Sequence, residues 1–205
     1  MMKIYKNLST ALKEKDEVKI LKLSLHSNIF PSEIFNFPNL EEIYLEGQCH
    51  EFPEKILGWE KVRIISIKWN EFSGDLSGIL SLEHLENLKI LETPLKMFLL
   101  PLGIIKAPLK SLTIKSCGLE KLPEEISMCT GLQEISLPGN KLNSLPHSFI
   151  DLKDLKRLNL DSNQFTSFPD NIKKLPRLHH LSIDGNKFPS EEKDRIQRIF
   201  HLTVN

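Results

Sequence analysis

From Leu132 onward the apolar residues fall on a fixed grid: Leu132, Ile135, Leu137, Leu142, Leu145, Phe149 and Leu152, with Asn140 at its centre and Pro146 ahead of the second apolar group. The grid returns at Leu155 with Leu158, Leu160, Asn163, Phe165, Phe168, Pro169, Ile172 and Leu175, and opens again at Leu178, a period of 23 residues. Self-similarity at such a period marks a stack of repeated supersecondary units. Carried along the chain, units open at Ile20, Leu40, Val62, Leu85, Leu109, Leu132, Leu155 and Leu178. That is eight units, with successive spacings of 20, 22, 23, 24, 23, 23 and 23 residues.

Near the start of each unit apolar and polar residues alternate, which is the period of a strand with one buried face. One such strand cannot bury its apolar side alone, so the units are expected to stack into a parallel sheet, with their second halves closing the other side of the core. A ninth position ends the strand and is filled by Asn28, Gln48, Asn70, Thr93, Cys117, Asn140, Asn163 and Asn186. All but Cys117 carry side chains that can strongly hydrogen-bond buried backbone. The exposed ends of a stack need atypical covers. Residues 1–19 supply one, with Ser9 or Thr10 as N-cap of a short amphipathic helix, and residues 190–205 the other, with Ser190, Glu191 and Glu192 opening a helix that carries Ile196, Ile199 and Phe200 on one face. The expected organisation is one domain over 1–205, with the repeats at 20–189.

The motif L-x-x-I-x-L-x-x-N-x-L-x-x-L-P-x-x-F-x-x-L from Leu132, repeated from Leu155, resembles the leucine-rich-repeat family, and the resemblance runs from about Ile20 to Pro189. Its L-P-x-x-I-x-x-L second half is similar to the common bacterial and plant-related form. It differs from the L-P-x-L-P form of bacterial effectors that carry a ubiquitin-ligase domain. The resemblance implies an α/β solenoid with a curved parallel sheet on the concave side and an irregular, 3-10 or short helical convex side. It also implies a scaffold for protein–protein interaction, often in bacterial host contact or adhesion, and it accommodates cysteine at the ninth position.

Composition narrows the partner. The 27 basic and 27 acidic residues cancel, so no whole-molecule field draws the chain to nucleic acid or an anionic membrane, and the protein partner that the resemblance implies is expected to be found by local shape and chemistry. No apolar core of a signal peptide lies between Met1 and Val18, and no later stretch is long enough to span a bilayer. The chain as written therefore reads as soluble and cytoplasmic, and as secreted or surface-bound if a leader has been removed. Cys49, Cys117 and Cys129 match neither a disulfide framework nor a zinc site and read as free thiols. Cys117 holds a ninth position and Cys129 the slot of Leu152 and Leu175.

No enzyme, metal or cofactor constellation emerges. There is no glycine-rich phosphate loop. His179 and His180 are adjacent, which on a strand sends them to opposite faces, so they cannot chelate one metal together. Cys49 beside His50 is the one thiol–imidazole neighbourhood, but it lacks any third group to orient it for acyl transfer. In Lys96–Lys106 the repeat slots account for Phe98, Leu102 and Ile105. Met97, Leu99, Leu100 and Ile104 are then surplus apolar residues, a candidate patch for weak self-association and the alternative to a binding role.

Residues alternating with the buried ones form columns on the concave face. The third column runs Lys22, Glu42, Ile64, Asn87, Ser111, Glu134, Arg157, His180; the fifth Ser24, Tyr44, Ser66, Lys89, Thr113, Ser136, Asn159, Ser182; the seventh His26, Glu46, Lys68, Leu91, Lys115, Pro138, Asp161, Asp184. Apolar and aromatic members gather in the second to fourth units. Tyr44, Ile64, Leu91 and, near the strand exit, Trp69 stand among Glu46, Lys68 and Lys89, the composition of an interface hot spot inside a polar rim. These seven residues are the expected partner-binding site.

Overall fold

The computed structural model describes residues 2–53, 56, 58–95 and 106–200. Among these residues nine strands form one parallel sheet in chain order: β1 (Ile4–Tyr5), β2 (Ile20–His26), β3 (Glu42–Gln48), β4 (Ile64–Trp69), β5 (Asn87–Leu91), β6 (Ser111–Lys115), β7 (Glu134–Ser136), β8 (Arg157–Asn159) and β9 (His180–Ser182). Leu21, Ile43, Ile65, Leu88, Leu112, Ile135, Leu158 and Leu181 stand in register, each strand delivering its apolar residue to the same layer. The return segments contribute single 3-10 turns at Ser32–Asn36, Ser77–Ser81, Glu124–Met128, His147–Asp151 and Asp170–Lys174. Pro31, Pro123, Pro146 and Pro169 sit immediately before four of them with φ between −62° and −74°, the value a pyrrolidine ring fixes in advance. Ile34, Ile79, Ile126, Phe149 and Ile172 point from those turns into the core opposite the strands.

A helix lies at each end, with one change of residue from the expected N-cap. At the N-terminal end helix α1 (Leu8–Ala11) runs into a 3-10 segment at Leu12–Glu17, but its N-cap is Asn7 rather than Ser9 or Thr10: the Asn7 carboxamide accepts the Thr10 amide at 3.0 Å. Asparagine in extended backbone reaches the third amide of the helix, which is the geometry a cap needs. Strand β1, which no alternation announced, pairs Ile4 with Ile20 and Tyr5 with Leu21. At the other end α2 (Ser190–Phe200) buries Ile196, and its Glu192 accepts the Phe168 amide at 2.7 Å. The side chains of Ile199 and Phe200, and residues 201–205, lie outside the described residues.

Two repeat assignments are corrected. Ile20 pairs with Glu42, so Val18, fully buried, occupies the slot of Leu40, and the first unit begins two residues earlier than the alternation suggests. A slip of two residues keeps every side chain on its original face, so burial parity alone cannot detect it. The ninth-position ladder is also split. Thr93, Cys117, Asn140 and Asn163 are buried and Asn186 is half-buried, whereas Gln48 and Asn70 are exposed, and the corrected register brings exposed His26 rather than Asn28 to this row in the first unit. In the first three units an aromatic cluster takes the place of the polar ladder, with Phe30, Phe52, Trp69 and Phe72 packed at ring-centroid separations of 5.2–6.5 Å.

Candidate functional site

The open face of the sheet carries the residues whose side chains alternate with the core. On strands β3 to β5 it presents half-buried Tyr44, Ile64, Lys68 and Leu91 and exposed Glu46 and Lys89. Lys22, Tyr44, Leu45, Glu46, Ser66, Lys68 and Leu91 line a shallow depression of about 170 Å³. The corrected register explains its shape: Lys22 stands beside Tyr44, not Glu42, and Ser66 flanks Tyr44 on the other side. Small Ser66 leaves room between Tyr44 and Lys89, its neighbour on β5.

The polar groups of the depression differ in their partners. The Tyr44 hydroxyl donates to Glu42 at 2.7 Å. Burial of the phenol, reinforced by that carboxylate, pushes its pKa up to about 12, so Tyr44 stays a neutral donor. Glu46 accepts from the Ser24 hydroxyl at 2.9 Å, and Lys68 pairs with Glu92 at 2.7 Å. Lys22, Lys89 and Lys115 are exposed and have no carboxylate within ion-pair distance among the described residues.

Trp69 does not belong to this surface. It is fully buried among Phe30, Phe52 and Phe72, and its indole Nε1 is a buried donor without an acceptor among the described residues. Strand β4 runs through Trp69, so the inward parity of Ile65 and Ile67 continues to it and turns the ring into the core. Met97, Leu99, Leu100 and Ile104 lie outside the described residues.

The remaining candidates carry no assembled chemistry. Cys49 is buried, its thiol donates to the Glu51 carbonyl at 3.2 Å, and burial pushes its pKa up. His50 meets Glu71 instead, with Nε2 and Oε2 3.2 Å apart. His179 and His180 are both exposed, and among the described residues no group of three or more His, Cys, Asp or Glu is arranged to hold a metal ion. Nor is any described helix long and apolar enough to cross a membrane.

Comparison with known proteins agrees with the geometry. The leucine rich repeat family model matches residues 107–165 and 130–188. Residues 107–188 are leucine-rich repeats, and the parallel sheet has the leucine-rich-repeat fold. No curated protein sequence matches it. Among solved structures the leucine-rich-repeat sheet is similar to an internalin (inlF) of Listeria monocytogenes, with TM-score 0.66 and 18% identity over 100% of this chain and 66% of that one. It is also similar to InlP of Listeria monocytogenes, with TM-score 0.63 and 19% identity over 88% of this chain and 53% of that one. A third structure is the ectodomain of the Arabidopsis thaliana receptor kinase GASSHO1/SCHENGEN3 in complex with CASPARIAN STRIP INTEGRITY FACTOR 2, with TM-score 0.57 and 27% identity over 80% of this chain and 21% of that one. The chain thus spans only part of each.

Proposed function

We propose that this protein is a non-catalytic binding module that holds a protein partner on the open face of its sheet, centred on β3 to β5. The observation that carries this reading is the depression between Tyr44, Ser66, Lys68 and Leu91, where half-buried apolar surface meets the exposed ammonium groups of Lys22 and Lys89 on an otherwise small and polar face. The seven intervals of about 4.8 Å between eight strands give a face on the order of 34 Å across, enough for a standard interface. Aromatic and aliphatic groups ringed by polar ones are the composition from which interface energy is drawn. The Arabidopsis leucine-rich-repeat ectodomain forms a complex with CASPARIAN STRIP INTEGRITY FACTOR 2, and this chain is read as a binding module of the same kind.

A photo-crosslinking residue placed at Lys89, in purified protein mixed with source-cell extract, tests the reading. The expected result is one predominant protein adduct that is absent when the crosslinker replaces Lys121, an exposed residue off the open face. The adduct should be lost when Tyr44→Ala and Leu91→Ala are added to a chain that still melts cooperatively. Equal adducts from Lys89 and Lys121, or an adduct indifferent to the two substitutions, would overturn the assignment of the face.

A further inference from the structure

We propose that the segment of the partner seated on this face is acidic and extended, runs across the strands, and places one apolar side chain on Tyr44, Ile64 and Leu91 with carboxylates on either side meeting Lys22, Lys89 and Lys115. The inference rests on the binding role of the open face and adds the chemistry of what is bound.

The sign of the face is set by which charges are already satisfied. Its carboxylates over β2 to β5 are engaged within the protein: Glu42 by the Tyr44 hydroxyl, Glu46 by the Ser24 hydroxyl, and Glu92, at the strand exit, by Lys68. The lysines are not so engaged. Lys22, Lys89 and Lys115 are exposed with no carboxylate at ion-pair distance among the described residues. An incoming carboxylate therefore meets three cations that have no internal partner among the described residues, whereas Glu42 and Glu46 each already accept a hydroxyl hydrogen bond and Glu92 already holds Lys68.

The spacing sets the form of the occupant. Lys22, Tyr44, Ser66 and Lys89 are successive members of one register column on β2, β3, β4 and β5. Three strand spacings of about 4.8 Å separate the two lysines by roughly 14 Å, the reach of four to five extended residues. Between them lies the depression, and Lys115 continues the cationic series beside Leu91 on the next strand. A polyanion such as single-stranded RNA fits less well. It brings a charge at every nucleotide, whereas the column offers cations only at its two ends, and the chain as a whole has zero formal net charge.

Two fluorescein-labelled peptides of about twelve residues test the inference, with lengths chosen from the column spacing. Both have a glycine–serine background and one central leucine, flanked by glutamates in one and by lysines in the other. The acidic peptide is expected to bind at least about tenfold more tightly at low salt and to lose that margin as ionic strength rises. The double variant Lys22→Glu/Lys89→Glu should lose at least about tenfold for the acidic peptide, while Lys121→Glu binds it as the native chain does. Thermal melts of both variants confirm that the fold is intact. Because both lysines are exposed, each single variant, Lys22→Gln and Lys89→Gln, gives a second measurement should the double variant melt early. Equal or undetectable binding of the two peptides, indifference to the lysine substitutions, or tighter binding of a single-stranded RNA of matching length would overturn the inference. If the crosslink at Lys89 persists in any of those cases, the binding role of the face stands and only the acidic character of its occupant falls.

Discussion

Asn140 fixes Cys117 at the exit of the preceding strand. Its Oδ1 accepts the Cys117 amide at 3.1 Å and the Leu119 amide at 3.1 Å, while Nδ2 donates to the carbonyls of Ile114 at 2.7 Å and Leu137 at 3.0 Å. One carboxamide thus satisfies backbone groups of two units. Asn163 repeats the arrangement one unit on, accepting from Leu142 at 3.0 Å and donating to Leu137 at 2.8 Å and Leu160 at 3.0 Å.

Truncating Asn140 to alanine leaves two buried amides without an acceptor, so Asn140→Ala is expected to cost more than about 2 kcal/mol of unfolding free energy. Asn70→Ala, at the same position of an earlier unit but exposed, should fall within about 0.5 kcal/mol of the native chain. Urea midpoints of the two variants check this, and equal midpoints would contradict the split ladder.

Trp69 belongs to the core, so Trp69→Ala should destabilise the fold by about 3–5 kcal/mol through the cavity it leaves. Trp69→Phe deletes the orphaned Nε1 together with part of the ring and should lose distinctly less. Denaturant titration of both variants decides the matter; identical losses would mean that the indole nitrogen has an acceptor.

The three thiols should be silent in the native state. Cys49, Cys117 and Cys129 are buried, and burial raises all three pKa values, that of Cys129 to about 11. Iodoacetamide at pH 8 should label them only once urea opens the fold, since the thiolate is the reactive form. Rapid stoichiometric labelling of Cys49 in the native protein would revive the thiol–imidazole reading.

Two carboxylates, one on a return segment and one on α2, each bind amides of a neighbouring unit and make stability depend on acid. Glu124 accepts the Ser148 amide at 2.8 Å and the His147 amide at 3.0 Å, which holds its pKa below the usual carboxylate range. Glu192 is lowered first by Arg195 and then by the Phe168 amide. A depressed folded pKa contributes stability that is fully present above the unfolded value of about 4.3 and is lost as pH falls through the folded one. The native chain should therefore lead the Glu124→Gln/Glu192→Gln variant in melting temperature at pH 6. The gap should narrow progressively below about pH 4 as the native carboxylates take up protons. A gap unchanged down to pH 3 would count against both contacts.

The sequence by itself determined the repeat, the parallel sheet and the inward positions from Ile43 to Leu181, because burial in each unit follows a local period that the apolar residues print directly. It also placed Tyr44, Ile64, Lys68, Lys89 and Leu91 on the outward alternation, since strand parity carries that information wherever the strand is regular. What it left open was decided where parity is silent or ends. The pairing of Val18 with Leu40, which puts Lys22 beside Tyr44, required the three-dimensional register, since a two-residue slip conserves every face. The direction of Trp69 depended on where the chain leaves the strand. In later units the corresponding residues, Glu92, Ser116, Gly139, Ser162 and Gly185, have φ between 47° and 70° and turn the backbone out of the sheet. At Trp69 the strand runs on, because a bulky aromatic residue resists positive φ and the core offers its ring a place among Phe30, Phe52 and Phe72.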